Sequence, residues 1–263
     1  MPTLISWTNE TWNPVSGCHK VSEGCRYCYA ETLSLRFGWS KKPWTAANAQ
    51  ENVIMHPERL KKPLTWKKPS RVFVNSMSDM FHPLVTDEFI AKVFEVMIFT
   101  PQHTYQILTK RPERAETWKT WAPNIWMGAT VEDIRVKSRI DNIRNCGAPI
   151  KFLSCEPLIG SLAGVDLSGI DWIIAGGESG PHLGAAEKAL KQGIDPRIVN
   201  PRWMNMQWAR ELRDISVRDG SAYFFKQDSG VRTELRPYLV EEDGSKWKWH
   251  QWPGQVDPPE RVE

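Results

Sequence analysis

The sequence predicts an α/β fold with parallel strands, a TIM-type or partial (β/α)6-8 barrel. Three observations carry that reading: a length of 263 residues, apolar strand-like runs alternating with amphipathic helical stretches, and runs that each end in polar residues. A barrel commonly takes about 200–250 residues as one unit. Strands covered by helices on both faces read as continuous apolar runs rather than alternating ones.

Leu4-Ile-Ser-Trp-Thr8 opens the chain as a short apolar run, counted as the first strand. A polar loop with three cysteines follows. Ala30, Leu33 and Phe37 then suggest a helix from Tyr29 to about Phe37, ended by Gly38. Residues 40–70, rich in Lys, Pro and Trp, read as an irregular excursion with a short helix near 46–55. Arg71-Val-Phe-Val-Asn75 is a buried strand. Thr86 caps a helix with Phe89, Ile90, Val93, Phe94 and Met97 on one face. The next strands are 104–109 and 125–131, and Pro112 opens the helix between them. A helix over 133–145 and strands at 150–155 and 171–177 continue the alternation. Met204, Trp208, Leu212 and Ile215 share a face of a helix near 201–215, and 222–226 is the last strand. The total is about seven strands, with 159–170 too short for a full helix. Residues 1–228 thus read as one barrel domain with an amino-terminal cysteine loop. Residues 229–263, with Trp247, Trp249 and Trp252, read as a tail or lid.

Lys and Arg number 34 against 31 Asp and Glu, so the net charge of +3 does not argue for a protein that wraps polyanions. No apolar stretch approaches the ~20 residues of a membrane helix and no export signal opens the chain, which points to a cytoplasmic protein with no membrane partner. Three of the five cysteines fall between Cys18 and Cys28. In a reducing compartment such crowding marks a metal or redox site rather than a disulfide. Cys146 and Cys155 read as small core residues. Tryptophan is abundant, 14 in all, and suits core packing or stacking on a flat ligand.

Chemistry in parallel α/β folds gathers at the carboxyl ends of strands. Here those ends read Asn75-Ser76 with Asp79, Thr109-Lys110-Arg111, Thr130 with Glu132, Ser154 with Glu156, Gly176-Gly177-Glu178-Ser179, and Lys226-Gln227. One such group is an ordinary cap; six in register suggest a functional mouth holding Glu132, Glu156, Glu178, Lys110 and Lys226. Gly176-Gly177 allows a tight turn or close approach to a ligand. It lacks the dinucleotide spacing, and no phosphate loop occurs.

The loop spacing is Cys18-x6-Cys25-x2-Cys28. Three thiolates can hold three irons of a [4Fe–4S] cluster and leave the fourth open. A closed zinc site needs a fourth ligand, for which His19, His56 or His82 are available; free redox thiols are the third option.

The three-cysteine loop after the first strand, Tyr27 before the last cysteine, and the barrel behind them resemble the radical S-adenosylmethionine (SAM) superfamily. More narrowly, Thr11-Trp12-Asn13-Pro14-Val15-Ser16-Gly17-Cys18, Gly24-Cys25-Arg26-Tyr27-Cys28-Tyr29-Ala30, Cys155-Glu156-Pro157-Leu158, Gly176-Gly177-Glu178-Ser179-Gly180-Pro181 and Phe225-Lys226-Gln227 resemble a phage- and bacterium-associated family of uncharacterised proteins. Two features depart from the superfamily. Its common motif has three residues between the first two cysteines, not six. Its Gly-Gly-Glu, which meets the methionine amino group, follows the second strand, whereas Gly176-Gly177-Glu178 follows the sixth.

The resemblance implies a [4Fe–4S] cluster on Cys18, Cys25 and Cys28, SAM as second cofactor, and a 5′-deoxyadenosyl radical acting on an unknown substrate, such as a nucleotide or nucleic acid. It implies a small electron donor such as a flavodoxin or ferredoxin. Tyr27 would face adenine, Asn75, Ser76 and Asp79 the amino group, Lys110 or Arg111 the carboxylate, and Glu132, with Thr130 beside it, the ribose. Gly176 and Gly177 would give the cofactor room, and Lys226, Glu156 and Glu178 would serve substrate or proton transfer. Two other readings compete: a metal-dependent barrel hydrolase or lyase, and a non-catalytic nucleic-acid-binding protein using Lys41-Lys42-Pro43-Trp44, Lys61-Lys62, Trp66 and Lys67-Lys68.

Overall fold

The computed structural model describes residues 3–255 and 257–263. Its parallel strands are β1 (Glu10–Trp12), β2 (Arg71–Val74), β3 (Thr104–Thr109), β4 (Ile125–Thr130), β5 (Ile150–Cys155), β6 (Trp172–Gly176) and β7 (Ala222–Gln227). They form a mixed α/β fold around a seven-stranded sheet in chain order. The chain forms two compact units: residues up to Ala129 with Asp141–Lys151, and Thr130–Ile140 with Phe152–Glu263.

In unit 1, β1 pairs with β2 and β2 with β3, all parallel. Val72, Phe73 and Val74 of β2 are buried, as are Tyr105 and Ile107 of β3. The helix expected after β2, Asp87–Phe99, buries the predicted stripe of Phe89, Ile90, Val93, Phe94 and Met97. The Thr86 hydroxyl accepts from the Phe89 amide at 3.2 Å and fixes its start.

Two expectations in this unit need correction. The first strand is not Leu4–Thr8. Asn9 brackets Arg71 with two bonds of 2.9 Å, its amide to the Arg71 carbonyl and its Oδ1 from the Arg71 amide, so pairing begins at Glu10. The helix Tyr29–Arg36 buries Ala30, Glu31 and Ser34 and leaves Phe37 exposed, because Glu31 is turned inward to Lys20 and the Trp44 amide. Trp44 is itself buried, so its expected stacking role gives way to core packing.

In unit 2, β5 pairs with β6 and β6 with β7, and every residue of β6 and β7 is buried. The expected helix over 133–145 is a turn at Ile134–Val136 followed by a helix at Ser138–Asn145. Asp133 caps the turn, its side chain accepting from the Arg135 amide at 2.9 Å. The helix near 201–215 begins later, at Met206, because Asn205 caps it; it runs to Asp219 and buries Ala209, Leu212, Ile215 and Ser216. Gly220, at φ +78°, ends it in the left-handed region.

The tryptophan-rich end packs along β7. The Phe225 amide donates to the Trp249 carbonyl at 2.8 Å, and the Tyr223 amide to Gln251 Oε1 at 3.0 Å. Trp252 lies 4.9 Å from the Trp172 ring. These contacts cover an edge that would otherwise offer unpaired backbone groups. The remaining tail holds a small antiparallel sheet of Leu239–Val240, Lys246–Lys248 and Glu260–Val262. Among the described residues no helix is long and apolar enough to cross a membrane.

Candidate metal centre and strand-end clusters

The cysteine loop leaves β1 through Asn13 and Gly17, and both are tied to the end of β2. Asn13 Oδ1 accepts from the Met77 amide at 3.0 Å and from Ser76 Oγ at 3.2 Å. The Gly17 amide donates to the Met77 carbonyl at 3.1 Å. Gly17 has φ +79°, and a Cβ there would lie 1.8 Å from the Asn52 carbonyl oxygen, so only glycine fits. Asn75 also adopts a left-handed conformation, at φ +62°. Its Oδ1 accepts from the Val15 amide at 3.5 Å, which leaves its buried Nδ2 as a donor with no partner among the described residues. Tyr29 donates its hydroxyl to the Ser76 carbonyl at 2.6 Å.

Asp79 and Arg111 form the charged floor beneath the loop. Asp79 Oδ1 accepts from Thr109 Oγ1 at 2.7 Å and the Phe81 amide at 3.0 Å; Oδ2 accepts from the Lys110 amide and from Arg111 Nη1, both at 3.0 Å. The same Nη1 donates to Cys18 Sγ at 3.4 Å, and Nη2 donates to the His19 carbonyl at 2.9 Å. One planar guanidinium thus joins a carboxylate, a sulfur and the loop backbone, which a lysine ammonium has no geometry to do.

Burial pushes the Cys18 thiol up to about 12; the Asp79 charge adds to this and Arg111 opposes it. Burial also raises Cys28, while the Glu31 and Ala30 amides and the Lys110 charge pull it down. Those amides belong to the first turn of Tyr29–Arg36, where exposed N–H groups favour negative charge.

Among the described residues no three His, Cys, Asp or Glu side chains stand together as a metal-holding group. Cys18 and Cys28 are each tied to their own surroundings instead, Cys18 Sγ to Arg111 and Cys28 to the amides of Ala30 and Glu31. For both thiols burial outweighs the nearby cations and amides, so the thiol form is the favoured one here.

Of the histidines offered for zinc, His56 lies 2.8 Å from Ser16 Oγ and 3.1 Å from Glu58. His19 Nδ1 and His82 Nε2 are 2.6 Å apart. Because His82 Nδ1 accepts from the Leu84 amide, its Nε2 carries the proton and donates to His19. Burial, then the Arg111 charge, lowers His82 to about 4, so the pair is neutral.

In unit 2 the strand-end carboxylates have cationic partners. Glu132 is buried and accepts from Arg139 at 2.9 Å, and Arg139 also donates to the Thr130 carbonyl at 2.8 Å. Glu178 is buried between Arg202 and His182. Lys226 Nζ lies 2.6 Å from Glu156 Oε1 and 3.9 Å from Glu234. A Cβ on Gly177 would meet the Ser229 amide nitrogen at 2.3 Å, so the chain's own backbone fills the space beside that glycine. A Cβ on Gly176 would lie 3.4 Å from Glu156 and Gln227.

The structure therefore joins Cys18, Asp79, Arg111 and the Lys110 amide by direct contacts, with Asn75 and Ser76 at the adjoining strand end, while Cys25 and Cys28 lie on the same loop without a contact to Cys18 among the described residues. Tyr27 is exposed beside them under Arg26. Glu156 and Lys226 form a second group within unit 2, and Glu132 and Glu178 have guanidinium partners of their own. Sequence reasoning missed Asn13, Arg139, Arg202 and Glu234. Arg139, seven residues beyond Glu132, carried a signal; Arg202 and Glu234 meet their partners only through the fold.

Residues 2–196 match the sequence model of a family described as Protein of unknown function (DUF5131). No curated protein and no solved structure matches the chain.

Proposed function

We propose, for a chain that belongs to the DUF5131 family, an iron–sulfur enzyme of the radical SAM type with Cys18, Cys25 and Cys28 as cluster ligands. The carrying observation is the Arg111 bridge from Asp79 to the Cys18 sulfur, at the start of the loop that also holds Cys25 and Cys28. The parallel strands in chain order are in keeping with the partial barrel such enzymes use.

A cluster bound by the three cysteines and reduced by an external one-electron donor such as a flavodoxin or ferredoxin would supply the electron for cleaving SAM into methionine and a 5′-deoxyadenosyl radical. The chain's own residues orient and neutralise. Arg111 offsets thiolate charge at Cys18, and the Glu31 and Ala30 amides do so at Cys28. Asp79 has four partners already, so its role is to hold Arg111 and the end of β3 in place. The orphan Asn75 Nδ2 is a donor, which suits a carboxylate oxygen better than the amino group expected of that position. Within unit 2, Lys226 Nζ and Glu156 Oε1 are the pair able to hold and pass a proton.

Anaerobic reconstitution tests the reading. About four irons per chain, a brown chromophore, and 5′-deoxyadenosine released from SAM on reduction are expected. A colourless protein holding only zinc, or an iron-loaded one that leaves SAM intact, would sink it.

A further inference from the structure

Residues 57–71 form a second feature of unit 1. The segment holds six cations, Arg59, Lys61, Lys62, Lys67, Lys68 and Arg71, against one acid, Glu58. It therefore carries +5 in a chain whose formal net charge is +3, and the rest of the molecule sums to −2. Glu58 is itself engaged by His56 at 3.1 Å and Arg59 at 3.7 Å. Lys61, Lys67 and Lys68 are exposed and form no ion pair among the described residues.

The segment is held firmly. Pro57 and Pro63 open two tight turns, at Pro57–Lys61 and Pro63–Thr65. Trp12 Nε1 donates to the Arg59 carbonyl at 2.9 Å, Arg59 Nη1 to the Asn13 carbonyl at 3.1 Å, and Lys62 Nζ to the Thr11 carbonyl at 3.1 Å. Residues 11–13 lead directly into the cysteine loop, so the cations are anchored beside its start.

We propose that the exposed face of residues 57–71 is a nucleic-acid surface that holds a phosphodiester backbone beside the entrance to the cysteine loop. Clustered ammonium groups without carboxylate partners are the electrostatic footprint of phosphate binding. An anionic lipid surface fits less well. Interfacial segments need an apolar face, and the large apolar side chain exposed here is Leu64. Trp66 is half-buried, its ring lying 5.4 Å from Lys62 Nζ and edge-to-face with His103. It positions a cation and is not free to stack on bases, so the surface binds without base preference.

The proposal does not depend on the cluster, and its test uses the full chain without metal. Fluorescence anisotropy with labelled single-stranded and duplex oligonucleotides separates the two forms of the backbone. Three phosphate contacts give a log–log salt slope of about −2 for single strands and about −2.7 for duplex. Between 50 and 200 mM salt, affinity then falls about 20-fold or about 40-fold respectively. The triple variant Lys61→Gln, Lys67→Gln, Lys68→Gln should flatten the slope and weaken binding at 50 mM by about 10-fold or more. The triple variant Lys119→Gln, Lys188→Gln, Lys191→Gln changes net charge equally at exposed sites elsewhere and should bind as wild type. No binding at 50 mM, equal losses in both variants, or capture by phosphatidylserine vesicles that oligonucleotide fails to displace would each overturn the proposal.

Discussion

The ends of β2 and β3 in unit 1 and those of β4, β5, β6 and β7 in unit 2 look alike as sequence, each a polar cluster after an apolar run. Their charges are arranged differently. In unit 1 the cations also reach sulfur: Arg111 pairs with Asp79 and donates to Cys18, and the Lys110 charge acts on Cys28. In unit 2 they face carboxylates: Arg202 on Glu178, Arg139 on Glu132, Lys226 on Glu156. A buried carboxylate with a guanidinium partner has its charge already offset within the fold. At Cys18 and Cys28 a cation or helix amides oppose the rise that burial imposes on the thiol. Strand-end polarity alone does not separate the two cases; the identity of the partner does.

The sharpest way to break this contrast is to remove a sulfur. Cys18→Ser, Cys25→Ser or Cys28→Ser should each abolish stable iron loading, read as iron and sulfide per chain, without unfolding the protein by circular dichroism. Full loading of all three variants would mean that unit 1 is no more a site than unit 2. Next in size is Arg202→Met. It leaves the Glu178 carboxylate buried with only His182 beside it, at about 3 kcal/mol or more of stability in urea titration. Glu178→Met together with Arg202→Met should recover most of that loss; no recovery would mean that the unpaired Glu178 charge was not its cause.

Gly177→Ala follows, at about 2–4 kcal/mol, because the new methyl meets the Ser229 backbone at 2.3 Å. A neutral Gly177→Ala would return that glycine to cofactor binding. The smallest effect concerns His250, stacked 4.2 Å from Phe224 in unit 2. Burial, then the Lys248 charge, lowers its pKa from 6.5 to about 4. A lowered histidine means that the unfolded chain binds the extra proton first. The contribution is thus intact above about 6.5 and is lost as pH falls toward 4. His250→Gln should flatten the fall in melting temperature across that window; an unchanged slope would place the titration elsewhere.

The architecture was largely legible because buried parallel strands leave long apolar runs and helices leave stripes such as Phe89 to Met97. What failed did so where a polar side chain overrode the pattern. Asn9 displaced the first strand, and Asn205 delayed a helix. Inward-turned Glu31 exposed Phe37, which the periodicity had placed in the core. The cysteine loop announced itself by spacing, but the Asp79–Arg111–Cys18 chain did not, since its members are 32 and 93 residues apart and meet only in the folded sheet. The tryptophans were ambiguous for the opposite reason: an aromatic ring suits a core and a ligand equally, and Trp12, Trp44 and Trp172 went to the core.

The fit of Gly17 against Asn52 has a practical consequence for protein engineering. The cysteine loop is not a portable cassette: moved alone to another scaffold, it would lose the carbonyl wall that sets its exit angle and the Asn13 clamp that fixes its stem. A functional transplant has to carry residues 11–28 together with the 52–62 stretch and the turn after β2, three pieces of sequence that behave as one part.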